Sequence, residues 1–247
     1  MGLRSVMDAW PKTVLTEPVD PDFELPALAV EDESRPIVFE DVRGYPDLTV
    51  VSNLVSSREQ IGEALGVDPP AVIERMQSAM TDPEPVGEPE SAAFEHVANE
   101  PTLEEHLPIP VYYAEHERRY FASSIVVVKD PETGVHNLSF HRMMYEGEND
   151  LVMRMVERHL HDIYTRTTGP LEVAVVMGVH PAVEIAAATS SSPDMNELEL
   201  ANALMDGELA VTDLDGLLVP ADAEVVFKAT ILEEQREEGP FVDLSRT

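Results

Sequence analysis

The 247-residue chain has no cysteine. Disulfides and thiolate chemistry are therefore excluded, and any metal has to be held by nitrogen and oxygen ligands. Lysine is nearly absent: Lys12, Lys129 and Lys228 stand against thirteen arginines. The 16 basic residues face 48 acidic ones, a formal net charge of −32. Nucleic-acid binding needs clustered Lys and Arg, so that balance argues against it. No apolar run approaches the roughly 18 residues that a membrane span requires. The start, Met1-Gly2-Leu3-Arg4, carries no signal-type apolar segment. It shares Met-Gly with myristoylation sites, but Val6 stands where those have Ser or Thr. There is no Gly-rich phosphate loop, no Gly-x-Ser-x-Gly elbow and no internal repeat. These absences leave a cytoplasmic protein with no nucleic-acid partner and no membrane span.

What is present is sufficient for a core. Hydrophobic residues make up 43% of the chain, which rules out disorder despite the charge. The length suits one large domain or two modest ones. An acidic, lysine-poor surface suits concentrated salt, where carboxylates stay hydrated and their repulsion is screened. The composition thus points to a halophile.

Residues 36–41 and 48–55 read as strands joined by an Arg43-Gly44-Tyr45-Pro46 turn. Ser56 with Glu59 reads as a capping box opening a helix. Asp68-Pro69-Pro70 opens another that runs to about Met80. Residues 81–110, rich in Pro, Glu and Asp, read as a linker. Tyr120–Lys129 is a dense apolar and β-branched strand. Asp130-Pro131-Glu132-Thr133-Gly134 is a hairpin signal, and His136–Tyr145 is the returning strand. Strands follow at Leu151–Val156, Leu171–Gly178, Leu209–Asp213, Leu217–Pro220 and Val225–Ile231. Helices fall at His159–Thr168, Ala182–Thr189 and Glu197–Met205, the last capped by Asn196.

Chemistry-bearing residues are scattered. Asn137 and Arg142 lie five apart, which in an unbroken strand puts them on opposite faces. Arg142 alone reads as a surface arginine, although its apolar neighbours Met143 and Met144 weigh against full exposure. His159 and His161, two apart at a helix start, diverge and do not form a zinc-protease pair. Glu197 in a first turn is explained by the helix dipole alone. Glu238 differs from Glu233, Glu234 and Glu237 because Gly239-Pro240-Phe241 follows, a turn that would direct the chain back toward a core.

The order of these pieces carries more than any one of them. Val126-Val127-Val128-Lys129-Asp130-Pro131-Glu132-Thr133-Gly134 follows Tyr120. Then come Asn137-x4-Arg142, Arg158-His159, Gly178-Val179-His180-Pro181-Ala182, Asn196-Glu197-x3-Ala201-x-Ala203-Leu204, Val219-Pro220-Ala221-Asp222-Ala223-Glu224-Val225-Val226 and Glu238-Gly239-Pro240-Phe241. The series resembles the UbiD family of prenylated-flavin decarboxylases over residues 105–247; the first 100 residues match loosely. The resemblance implies an α+β protein of halophilic archaeal type. A small N-terminal α/β domain and acidic linker occupy 1–100, and a split β-barrel of flavin-reductase type occupies 105–247. It implies prenylated FMN, a divalent metal such as Mn2+, and K+. Asn137, His159 and Glu197 match the metal ligands. Ser139, Phe140, His141, Arg142, Arg158, Ala188 and Thr189 join Asn137 and His159 as cofactor-binding positions. Arg142, Glu238 and Asp243 match the catalytic network, with the arginine orienting the substrate carboxylate and Glu238 protonating the product carbon.

Two local departures stand out: Glu117-Arg118-Arg119 replaces a Gly-rich stretch, and His141 precedes Arg142 where Tyr or a small residue is common. Family members are also nearly twice as long. The portion missing here normally completes the pocket, supplies a phosphate-binding lysine and carries the oligomerisation domain, so homo-oligomers are expected only when it is supplied. The expected partners are a small unsaturated or aromatic acid and a flavin prenyltransferase as cofactor supplier. Polyprenyl-hydroxybenzoate and anhydromevalonate phosphate are both family substrates, and segments 158–161 and 178–181 point toward the latter. The alternatives are a non-catalytic flavin-binding or assembly module, one half of a split decarboxylase, or a flavin reductase.

The charge predicts a salt requirement. Raising KCl from ~0.1 M to ~1 M, which shortens the Debye length from about 10 Å to about 3 Å, should raise the thermal midpoint by several degrees in circular dichroism. A flat or falling midpoint would show that carboxylate repulsion does not limit stability.

Overall fold

A computed structural model describes residues 2–94, 102–114, 118–190 and 192–241. Helix α1 (Leu3–Ala9) turns Leu3, Val6 and Met7 inward with Trp10 against Val38 and Leu54. Strands β1 (Thr13–Leu15), β2 (Ile37–Phe39) and β3 (Val50–Ser52) form a sheet in that order, β1 parallel to β2 and β3 antiparallel to it. Helix α2 (Glu24–Glu31) connects β1 to β2. The two expected strands are present but shorter than the apolar runs. Strand β1, helix α1 and helix α2 went unrecognised because short elements held by tertiary packing give little periodic signal.

Helix α3 (Arg58–Ala64) does begin with a capping box, one residue later than expected. Ser57 Oγ accepts from Gln60 N at 3.1 Å, and Gln60 Oε1 accepts from Ser57 N at 2.9 Å. Ser56 instead donates to the Glu33 carbonyl at 2.6 Å. Gln serves at the third position as well as Glu, so the sequence offered two registers and the Glu33 contact chose one. A 3-10 turn at Pro69–Ala71 precedes α4 (Val72–Thr81).

The expected linker is strapped down at several points. Glu84 N donates to Glu199 O, Glu90 N to Val211 O, and Ala93 N to Ala221 O. It also contains the short helix α5 (Leu103–His106). These bonds are main-chain, so an acidic sequence can make them without an apolar pattern to announce it.

Both long strand expectations divide. Tyr120–Lys129 becomes β4 (Tyr120–Phe121) and β5 (Ile125–Lys129). The returning strand becomes β6 (His136–Phe140) and β7 (Met143–Gly147), and β8 (Asp150–Met153) follows. The hairpin between β5 and β6 forms as expected, with Gly134 N donating to Asp130 O and Gly134 at φ +76°. The remaining elements are α6 (His159–Arg166), β9 (Leu171–Met177), α7 (Pro181–Ala188), α8 (Glu197–Leu204), β10 (Val211–Leu214), β11 (Leu217–Pro220) and β12 (Val225–Ile231).

Sheet order is β12-β9-β5-β6 in one sheet, β4-β7-β8 in a second and β10-β11 in a third. The fold is mixed α+β, and among the described residues these sheets do not close into a barrel. Strand β5 is buried on both faces, which is why it reads as a continuous apolar run. Val127 packs with Leu138 and with helices α7 and α8 through Val183, Leu198 and Leu200. Val126 and Val128 pack with Leu160 and Ile163 of α6. Helices α3 and α4 join the first of these clusters through Leu65, Val72 and Ala79. No helix among the described residues is long and apolar enough to cross a membrane.

Helix α7 is capped by a histidine. His180 Nδ1 accepts from Ala182 N at 3.1 Å. Burial is the first cause that pulls His180 down from its ordinary 6.5 to about 4. An imidazolium cannot accept that bond, so protonation costs the cap as well. The folded value lies below the unfolded one, so the stability contributed is complete above pH ~6.5 and is lost as pH falls toward ~4, on the order of 3 kcal/mol. His180→Asn keeps a capping oxygen without titrating. Urea unfolding should lose less stability between those pH values in the variant; an identical decline would show that His180 does not drive it.

Candidate functional site

The division between β6 and β7 builds the site. Had the strand been unbroken, Asn137 and Arg142 would face apart. Instead the chain leaves the β5–β6 sheet at His141 and enters the β4–β7 sheet at Met143. His141 N and Ser124 O stay hydrogen-bonded at 3.3 Å across the step.

One group of side chains gathers at the ends of β6, α6 and α8. Glu197, the first residue of α8, is 1% exposed. Its Oε2 accepts from Leu138 N at 3.0 Å and from Asn137 Nδ2 at 3.1 Å. Its Oε1 lies 4.0 Å from Nδ1 of His159, the first residue of α6. Asn196 caps α8 as expected, its Oδ1 accepting from Leu198 N at 3.1 Å. Asn137, His159 and Glu197 are thus brought together from three elements. Amide oxygen, imidazole nitrogen and carboxylate oxygen form a donor set that suits a hard or borderline divalent ion. Among the described residues no group of three His, Asp or Glu side chains offers a rival metal site.

His141 sits behind this group. Its Nδ1 is 3.1 Å from Arg154 O, an acceptor only, so Nδ1 carries the proton. Nε2 then accepts from Ser139 Oγ at 2.9 Å. Ser139 has one hydroxyl proton, and its contact to Asn137 Oδ1 is longer at 3.4 Å. Burial holds His141 below the ordinary histidine value, opposed by the Arg154 carbonyl. A neutral imidazole is what this chain of bonds requires.

The second group is an ion pair. Arg142 Nε donates to Glu238 Oε1 at 3.0 Å and Nη2 donates to Oε2 at 2.9 Å. The two side chains are 16% and 10% exposed, so the fork is two-pronged and largely out of water. Phe241 lies against it, its ring centre 4.7 Å from Arg142 Cζ. Tyr120 meets Phe241 edge-on at 4.7 Å and Tyr112 does so at 5.9 Å. Gly239 adopts φ +119°, a conformation that side chains resist, so the glycine is what lets the chain turn between Glu238 and Phe241. Asp243 lies outside the described residues.

Other expected positions are more peripheral. Arg158 is exposed and donates to Ser190 Oγ at 3.2 Å. Thr189 donates to Ile185 O at 2.7 Å at the end of α7, beside the exposed Ala188. Phe140 is packed against the main core. One turn before Ala188, burial pushes Glu184 up to about 7. Two surface hollows, one bordered by Val67, Glu74 and Arg75 and the other by Trp10, Arg35 and Gln60, lie away from both groups.

Tyr120, in a dense apolar run, gives no sign in the sequence of a polar role. Its buried hydroxyl has no hydrogen-bond partner among the described residues. Burial, and secondarily the Glu238 carboxylate, raise it to about 12. The signal was its register: Tyr120 pairs with Met144, which shares strand parity with Arg142.

Residues 84–247 match the family described as 3-octaprenyl-4-hydroxybenzoate carboxy-lyase Rift-related domain, and residues 13–80 match the corresponding N-terminal domain. An anhydromevalonate phosphate decarboxylase from Methanocaldococcus jannaschii is 37% identical over 95% of this chain and 56% of its own length. The UbiD-class enzyme HmfF from Pelotomaculum thermopropionicum, in complex with FMN, superposes with a TM-score of 0.89 at 32% identity, over 98% of this chain and 57% of its own. An evolved dimeric form of HmfF in complex with prFMN gives 0.86 at 31% identity, over 97% of this chain and 59% of its own. The chain spans about half the length of the curated relatives it matches.

Glu197→Ala would strip the acceptor from Leu138 N and Asn137 Nδ2 in a buried place. A loss of about 1–3 kcal/mol is expected in urea unfolding; an unchanged midpoint would show that water replaces the carboxylate at no cost.

Proposed function

The chain belongs to the UbiD family of carboxy-lyases, and on that premise we propose that it performs, or forms the flavin-binding part of an enzyme that performs, non-oxidative decarboxylation of an unsaturated or aromatic acid. The observation that carries this reading is the shielded Arg142–Glu238 fork, which follows directly on His141, the residue bonded through Ser139 to the Asn137, His159 and Glu197 group. The names of the relatives favour anhydromevalonate phosphate as the substrate. The pairing of β4 through β9 across two sheets supports a split barrel as the frame. The acidic, lysine-poor composition supports a salt-rich archaeal cytoplasm as the setting.

Asn137, His159 and Glu197 would hold a divalent metal such as Mn2+, with K+ as a second ion, and Ser139, His141, Arg158, Ala188 and Thr189 would border the flavin. Prenylated FMN, made by a flavin prenyltransferase, supplies the carbon–carbon bond chemistry when bound. The chain's residues supply placement and a proton. Arg142 presents a planar fork to the substrate carboxylate. Both Glu238 oxygens accept from Arg142, and each oxygen keeps a second lone pair that would take the proton bound for the product carbon. Phe241 limits where Arg142 can move; Asp243 is assigned to the network by the family resemblance alone. A second reading is a flavin-binding part of a larger enzyme, with turnover needing more than residues 1–247; the matches span 56% and 57% of two relatives.

Glu238→Gln tests the assignment. With the flavin prenyltransferase co-expressed, flavin absorbance should be retained while CO2 release falls by at least ~10^2-fold, the scale of a lost general acid. Retained turnover would remove Glu238 from that role. If turnover appears only when the C-terminal portion of a relative is added, the second reading holds.

A further inference from the structure

Arg154 differs from most arginines of this chain. Arg4, Arg119 and Arg166 pair with Glu224, Asp22 and Asp130. Among the described residues Arg154 has hydrogen bonds only through its backbone: its N donates to Arg142 O at 3.2 Å, and its carbonyl accepts from His141 Nδ1 at 3.1 Å. Its side chain is exposed, with no carboxylate partner among the described residues. Arg35, Arg58, Arg118 and Arg158 likewise have no ion pair among the described residues, so what sets Arg154 apart is its place opposite Arg142.

Its direction follows from the strand. Met153 and Met155 pack on the cluster of Phe121, Leu160 and Ile163. Val152 packs on the opposite cluster, with Tyr120, Met144 and Phe241. Alternation therefore persists past the end of β8 and puts residue 154 on the face of Val152. Met143 pairs with Met153, so the next rung sets Arg142 opposite Arg154. Cross-strand neighbours on one face have Cβ atoms about 5 Å apart, and like charges there repel. Glu238 answers the charge of Arg142. An incoming anion would answer the charge of Arg154.

We infer that Arg154 seats a phosphate monoester beside the Arg142–Glu238 fork, namely the phosphate of a substrate whose carboxylate Arg142 takes. The guanidinium fork suits phosphate oxygens. His141 holds the Arg154 carbonyl from behind, so the base of the side chain is fixed. The inference deepens the proposed function and rests on it for the substrate. The seat itself can be tested without it.

The experiment uses the 1–247 chain, wild type and Arg154→Gln, with Arg154→Lys retaining charge without the fork and circular dichroism confirming the fold. Inorganic phosphate is titrated and followed by 31P NMR, a readout independent of any turnover. Wild type should bind it at least ~10-fold more tightly than Arg154→Gln, the scale of a charge-assisted hydrogen-bond pair, with Arg154→Lys between them. Equal binding by wild type and Arg154→Gln overturns the seat. Calorimetry then compares anhydromevalonate phosphate, unphosphorylated anhydromevalonate and FMN. Loss in Arg154→Gln of a preference for the phosphorylated acid, with FMN affinity unchanged, supports the assignment. Loss of FMN affinity alone overturns the substrate assignment and gives the seat to the flavin phosphate. If wild type binds phosphate through Arg154 but neither acid, the seat stands and the proposed substrate falls.

Discussion

Glu197 is a carboxylate with 1% exposure at the start of α8. Removing such a charge from water costs several kcal/mol unless the protein replaces the lost hydration. Two kinds of replacement are present. The Leu138 main-chain N–H and the Asn137 amide donate to one oxygen, and the α8 N-terminus contributes its dipole. The arrangement requires α8 to dock at one place on β6. That docking in turn orients Asn137, sets His159 across from the other oxygen, and fixes where α7 and α8 close over Val127 and Leu138.

A second constraint is the step the chain takes at His141. It leaves Asn137 in one sheet and carries Arg142 to the edge of another, so alternation along a single strand no longer relates their faces. His141 is held at both ring nitrogens and across the step to Ser124. The same imidazole thus touches the side of the site that presents oxygen and nitrogen donors and the strand end that carries Arg154. The Arg142–Glu238 pair, packed against Phe241, then joins the step between β6 and β7 to a chain segment 96 positions away.

Much of the local structure was legible because its causes are local. The Asp130–Gly134 turn follows from a glycine that tolerates positive φ, and the α8 cap from an asparagine side chain two residues before the amide it receives. The misread places have equally definite causes. Ser56 and Ser57 offered competing caps, and a carbonyl from residue 33 selected between them. The linker looked unstructured because its bonds are main-chain and ignore side-chain polarity. The two long strands looked continuous because a change of sheet needs no change of hydrophobicity.

The sequence by itself shows no cysteine, only 16 basic residues against 48 acidic ones, and no long apolar run. It also determined most elements and the ordered residues that mark the family. Tertiary structure decided which charges are buried and brought together. Asn137 meets Glu197 across 60 positions and Arg142 meets Glu238 across 96. No local propensity encodes such meetings, because each residue's own neighbourhood is equally compatible with a surface charge. Burial and convergence, produced only when β6, α8 and the C-terminal turn pack, turn those side chains into a site.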